Sequence, residues 1–236
     1  MGKFYVAGCF ADSIIVDRDQ DRIEKKEGGP AYFIKNVLED LGEGYSLAKA
    51  KKGIIEVHIQ GGKEVGRFPR TSSISTSTPI TSPIVLAYSI SDEVCLDKLK
   101  GDFEEIYADS RGFVRDPENF GKKREWKLNS FEKIKVLKTT PLEMEYLPGP
   151  LLSHISRNGV LFVITDESNV EIVEKRKPRE YSLGDFPASE AFGMREVFFA
   201  AFSSEYSRSR DAGKAAEFAI GYSLKYISGN DEDEEK

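Results

Sequence analysis

Apolar positions along the chain follow two rhythms. Lys3–Gly8 (KFYVAG) predicts a short strand ending in glycine, and Ser13–Val16 continues in extended form after a break at Ala11-Asp12. Asp17–Glu27 is dense in charge and predicts an exposed turn or edge ribbon. Gly28-Gly29-Pro30 punctuates the chain. Ala31, Ile34, Val37, Leu38 and Leu41 then recur at helical spacing up to Gly42, which suits a helix C-cap. Ile54–Ile59 and Glu64–Phe68 predict a hairpin turned at Gly61-Gly62. Arg70–Pro83, rich in Ser, Thr and Pro, predicts a flexible loop.

Ile84–Ser89 predicts a buried strand, Asp92–Leu99 a short helix and Glu105–Ala108 another strand. Phe131–Leu137 reads as a helix end running into a strand, and Pro141–Leu147 as a short helix. Gly159–Thr165 (GVLFVIT) is nearly continuously apolar, the pattern of a strand covered on both faces, and Val170–Glu174 stays extended. Arg195–Ser204 and Ala212–Ile227 predict helices, and Asn230–Lys236 an acidic, disordered tail. Strands alternating with helices imply an α/β fold with a mostly parallel sheet. The 236 residues fit one domain, expected over 1–229, with 54–68 as a lid hairpin.

Composition narrows the functions. Hydrophobic residues make up 39%, enough for a core and too many for a disordered chain. The formal net charge of -6 argues against nucleic acid as main partner, since a phosphate backbone needs a basic stripe. The short basic clusters Lys49–Lys52, Lys122–Arg124 and Lys175–Arg179 read as solvated loop or helix ends. Cys9 and Cys95 lack CxxC spacing, which argues against a disulfide framework or a cysteine zinc site. His58 and His154 lie far apart and read as surface or packing residues. No apolar run approaches the ~20 residues that cross a bilayer, and Met1–Phe4 opens a strand rather than a signal peptide. A soluble, cytoplasmic protein with no membrane partner is expected.

Five stretches, in this order, resemble the ribokinase-like (PfkB) carbohydrate kinase family, above all its smaller sugar- and inositol-kinase-like members. Gly28-Gly29 followed by Leu41-Gly42 is similar to the N-terminal signature. Asp109-Ser110-Arg111-Gly112-Phe113-Val114-Arg115 looks like the strand-end D-x-x-G-x-x-R segment. Lys138-Thr139-Thr140-Pro141-Leu142-Glu143 is similar to the K-x-N-x-x-E turn, with Thr140 in place of asparagine. Leu161–Asp166 matches the strand beneath the nucleotide. Phe192–Phe202 (FGMREVFFAAF) looks like the T-G-A-G-D-x-F-x-A-A-F signature that opens the anion-hole helix.

The resemblance implies a three-layer α/β/α fold with a small β lid or hairpin. It also implies transfer of a phosphoryl group from ATP, with Mg²⁺, to the hydroxyl of a sugar, polyol or nucleoside. Glu196 would be the base. Gly193, Met194 and Arg195 would form the anion hole, and Glu143 would order the metal and its waters. Asp12, Gly28, Gly29 and Phe33 would face the substrate, and Asp166 the nucleotide phosphates, which it would repel.

The departures fall on both sides of the site. Met194, Arg195 and Glu196 replace Ala, Gly and Asp of the signature, and Phe33 replaces a substrate asparagine. The substrate aspartate falls at Ser13, with Asp12 one residue early, and the stretch from Gly42 to Ile54 is short. Two readings therefore stand: a kinase, or a degenerate member serving as a ligand-binding or protein-interaction module, in which the 54–68 hairpin could form a homodimer. Gly193–Phe202 also reads as a plain helix start with Glu196 in its first turn. Glu143 reads equally as an exposed helix-face carboxylate.

Overall fold

The computed structural model describes residues 2–60, 63–119, 122–165, 169–182 and 193–231. Strand β1 (Phe4–Ala7) leads into an antiparallel pair, β2 (Ala11–Asp17) and β3 (Arg22–Gly28). Ala11 pairs with Gly28, so the expected break at Ala11-Asp12 is the first rung of a ladder. Helix α1 (Pro30–Asp40) starts on a proline, whose fixed φ suits a first turn, and Gly42 follows its end at φ +67°.

Strands β4 (Tyr45–Leu47), β5 (Ala50–Lys51), β6 (Gly53–Gln60), β7 (Lys63–Arg70) and β8 (Ser73–Ile74) come next. The predicted hairpin is β6–β7. The predicted loop after Arg70 contains β8, which pairs with β5.

The remaining strands are β9 (Ile84–Tyr88), β10 (Glu105–Asp109), β11 (Ile134–Thr139), β12 (Val160–Ile164), β13 (Asn169–Glu174) and β14 (Lys177–Ser182). The remaining helices are α2 (Pro141–Met144), α3 (Gly149–Asn158), α4 (Met194–Ser209) and α5 (Ala212–Asp231).

Three expectations need correction. The helix over Asp92–Leu99 is one 3₁₀ turn, Leu96–Lys98, because Asp92 sits at φ +62° and breaks the run. No helix end precedes β11; residues 131–133 lead into it through a turn. Of the two readings of the basic cluster Lys175–Arg179, the solvated loop holds: Lys175 and Arg176, both exposed and at positive φ, turn the chain from β13 into β14. The tail begins later than expected, since α5 runs through Asp231; residues 232–236 lie outside the described part.

Eight strands form one sheet in the order β14-β13-β12-β11-β10-β9-β1-β4. The six from β12 to β4 are parallel, and β13 and β14 are antiparallel. Alternating strand residues bury against helices on each face. Phe4, Val6, Leu86, Tyr88, Val136 and Phe162 meet α1, α4 and α5. Ala87, Ile106, Ala108, Leu137 and Leu161 meet α3 and the packed residues Phe113, Val114 and Trp126. A second sheet, β3-β2-β6-β7, is joined to the first where Cys9 and Ala11 pack on Ile90. No described helix is long and apolar enough to cross a membrane.

The order of strands fixes the place of a site. From β1 the chain moves to β4 on one side, then crosses back to β9 on the other. At such a switch point the loops leave in opposite directions and open a crevice at the strand carboxyl ends. In this chain those ends are Ala7, Tyr88 and Asp109.

The core's largest aromatic cluster centres on Phe162, with Phe198, Phe199 and Phe202 at centroid distances of 5.1, 5.7 and 5.7 Å. Phe162→Ala should cost about 3–5 kcal/mol, because a ring-sized void cannot close between a sheet and a helix. Chemical denaturation would measure it; a loss below about 1 kcal/mol would mean that β12 and α4 do not share this core.

Candidate functional site

Asp109 and Lys138 are register partners at the ends of parallel strands β10 and β11, so their side chains project to the same face. Lys138 Nζ lies 2.7 Å from Asp109 Oδ2, and both side chains are buried. Burial alone would push the Asp109 carboxyl up. The Lys138 ammonium and the Arg111 guanidinium prevail and hold it below the usual carboxylate range, helped by the Arg111 amide, which donates to Oδ1 at 3.0 Å. Lys138 also donates to the Arg195 carbonyl at 3.3 Å, which ties the first turn of α4 to the sheet.

Helix α4 opens on Gly193, at φ +82° and with no side-chain cap. A Cβ there would lie 2.2 Å from the Phe33 ring, so both backbone and space require glycine. The amides of Glu196 and Val197 bond to the Gly193 carbonyl, while those of Met194 and Arg195 precede any intrahelical acceptor. Glu196 Oε1 lies 3.6 Å from Arg111 and 3.9 Å from Lys138.

On the other face Ser110 donates to Glu143 Oε2 at 2.8 Å, and its Oγ lies 2.9 Å from Thr139 Oγ1. Thr140, which replaces the expected asparagine, caps α2 by accepting from the Glu143 amide at 3.2 Å. Glu143 is 4% exposed, so its reading as an exposed helix-face carboxylate is overturned. Lys123 Nζ lies 3.5 Å from Glu143 Oε1. An antiparallel bridge between Arg115 and Lys123 holds these two cations side by side, and the stacked rings of Phe113 and Trp126, 4.4 Å apart, pin the segment that carries them.

Cations crowd one another at this end. Burial, then repulsion from Arg111, pulls Arg115 down to about 10 and lowers Arg195. Burial also lowers Lys123, against the pull of Glu143. Burial weakens the hold of Arg111 on its proton too, but Glu196 and Asp109 reverse this and raise it.

The structure brings Gly193, Met194, Arg195, Glu196 and Glu143 to one end of the sheet. Gly28 and Gly29 join them through α1. Gly29, at φ +82°, allows a close approach: a Cβ would stand 2.7 Å from the Cys9 carbonyl and the Ala11 amide. Phe33 is a core residue that covers Gly193, not an open substrate contact. Asp12 pairs with Lys52 at 2.6 Å on the smaller sheet. Asp166 lies outside the described residues.

Sequence reasoning missed Lys123 and the pairing of Lys138 with Asp109. Lys123 stands in a cluster read as solvated, yet its side chain is only 17% exposed.

Arg111, Arg115, Lys123, Lys138 and Arg195 have the charge that phosphate oxygens call for. Mg²⁺ does not fit the donor set. Both Glu143 oxygens are engaged, one by the Ser110 hydroxyl and the other by the Lys123 ammonium, which leaves no free carboxylate for a divalent cation.

Lys138→Met strands a buried carboxylate and should cost about 3–5 kcal/mol. The double variant Asp109→Asn/Lys138→Met should recover part of that loss. In the native protein Asp109 has a lowered pKa, so its contribution is complete above about pH 4, the unfolded value, and disappears as pH falls through the folded value. Without Lys138 the burial effect gains ground and acid unfolding should begin at higher pH. Melting temperature against pH checks this; an unmoved acid limb would refute the role given to the pair.

No family model and no curated protein sequence matches the chain. Solved structures do. A pyrophosphate-dependent kinase in the ribokinase family, as its sulfate complex, aligns at 18% identity over 93% of each chain with a TM-score of 0.69. A structure of such a kinase with a pyrophosphate analogue and myo-inositol aligns at 17% identity, again over 93% of each chain, with a TM-score of 0.67. Arabidopsis thaliana ribokinase complexed with ribose and ATP aligns at 13% identity over 94% of this chain and 91% of its own, with a TM-score of 0.60. At these identities the likeness speaks for architecture: the chain has the three-layer α/β/α fold of the ribokinase-like kinases.

Proposed function

We propose that the chain is a phosphotransferase that moves a phosphoryl group from ATP to the hydroxyl of a small sugar, polyol or nucleoside. The observation that carries this reading is Glu196. Its carboxylate lies in the first turn of a glycine-opened helix, 3.6 Å from Arg111 and 3.9 Å from Lys138, at the end of the sheet where Arg115, Lys123 and Arg195 add positive charge.

Phosphoryl transfer asks for positioning and for neutralisation of charge spread over phosphate oxygens. The first-turn amides of α4, the helix dipole and the surrounding cations meet that demand. Glu196 accepts the proton of the attacking hydroxyl, and Arg111 keeps the carboxylate oriented. Pyrophosphate is the second donor reading. A cluster of cations with no base-reading role serves a bare polyphosphate as well as a nucleotide, and two of the similar structures are of a pyrophosphate-dependent enzyme.

The competing reading is a binding module that no longer transfers phosphate. Two cations already lie beside Glu196, and the position of the substrate asparagine is filled by buried Phe33. One experiment separates the two. Purified protein is incubated with ATP or pyrophosphate, with and without Mg²⁺, against a panel of sugars, inositols and nucleosides, and phosphorylated product is followed. Activity is expected with at least one pair, and Glu196→Gln should lower kcat by about 10²–10⁴-fold while donor binding persists. Donor binding without product from any pair would favour the binding module.

A further inference from the structure

We infer that Lys123 takes the place of a divalent cation at Glu143, so that this site binds the phosphates of its donor as a metal-free anion. The inference rests on the donor-site reading above.

Five cationic side chains, Arg111, Arg115, Lys123, Lys138 and Arg195, converge here on three carboxylates. Asp109 is taken by Lys138, and Glu196 lies between Lys138 and Arg111. Glu143 is left as the carboxylate that Arg111, Arg115, Lys123 and Arg195 all feel.

In a metal-dependent phosphate site, a carboxylate lends negative charge to a hydrated Mg²⁺, which in turn bridges phosphate oxygens. Here Glu143 lends that charge to an ammonium. Its other oxygen accepts the Ser110 hydroxyl, so turning toward a hydrated ion would break both contacts. Lys123 is moreover fixed by the backbone: the bridge to Arg115 is reinforced by the Asp116 amide on the Lys122 carbonyl and the Arg124 amide on the Val114 carbonyl. An ammonium so placed supplies positive charge to phosphate oxygens without a metal ion's need for six oxygen ligands.

The test is calorimetric titration of the full chain with sodium pyrophosphate, in EDTA and again in Mg²⁺. Wild-type protein should bind in EDTA at least as tightly as in Mg²⁺. Lys123→Met should weaken binding in EDTA about tenfold, equivalent to about 1.4 kcal/mol, and added Mg²⁺ should restore it, the ion filling the vacated place. Glu143→Gln keeps an acceptor for Ser110 while removing the charge, and should tighten binding in EDTA.

Wild-type binding that needs Mg²⁺, or Glu143→Gln weakening the Mg²⁺-supported complex, would overturn the inference and leave the donor site standing. No binding of pyrophosphate in either condition would overturn the inference, and failure of ATP to bind in the same titration would overturn the donor-site reading as well. The wild-type comparison needs no variant, so misfolding of a variant cannot rescue the idea.

Discussion

A lysine and an aspartate buried together are held by each other or not at all. Removing two charges from water costs several kcal/mol each, and only close geometry with further hydrogen bonds offsets it. Asp109 and Lys138 meet that condition through the sheet: as register partners on β10 and β11 they come together only when the two strands are correctly aligned. The pair then reaches outward in two directions. Asp109 accepts the Arg111 amide and so fixes the start of the segment that carries Arg115 and Lys123. Lys138 donates to the Arg195 carbonyl and so fixes the mouth of α4. Strand register, cationic segment and helix mouth thus depend on one contact.

What that contact holds from the sheet side, small residues permit from the other. Gly193 accepts Phe33 where its own Cβ would stand, which lets α4 start hard against α1. Gly29 does the same for α1 against the backbone at Cys9 and Ala11, where the smaller sheet departs. Glu93 secures the opposite wall, accepting from the Ser89 hydroxyl, the amides of Ile90 and Ser91, and the Cys9 thiol. Burial and that neighbouring carboxylate push the thiol well above its usual range, so Cys9 is a packing residue rather than a nucleophile.

The parts of this arrangement differed in how far the sequence announced them. Apolar periodicity revealed β1, β9, β12, α1 and α5, because each buries a face whose spacing is written in the chain. It failed for β14: KPREYS is exposed along most of its length, and its strand state comes from the turn at Lys175-Arg176 and pairing with β13. Helix α3 was missed because Gly149-Pro150 reads as a breaker, although proline is welcome in a first turn. Resemblance pointed to Gly193, Glu196 and Glu143 as candidates. It could not give the surroundings of Glu143, because Ser110 and Lys123 reach it from distant parts of the chain. Nor does any local pattern tell that Lys123, one of three adjacent basic residues, faces inward while the flanking Arg124 pairs with Asp92.

Net charge, likewise, describes the whole chain and not one crevice. A chain at -6 should shun a polyanion, yet association is governed by the potential where the ligand sits. At the carboxyl end of the sheet the cations press on one another: Arg115, Lys123 and Arg195 all hold their protons less firmly than they would in water. Each is lowered first by burial, and Arg111 adds repulsion to all three. Such crowding is unfavourable by itself and is relieved by any anion that enters among them. With a net charge of -6 on the whole chain, a small phosphate compound of the kind proposed would find its attraction in this crevice rather than over the surface at large. On the proposed reading Glu196 would work beside a phosphate despite its own negative charge, because Arg111 and Lys138 lie 3.6 and 3.9 Å from its carboxylate.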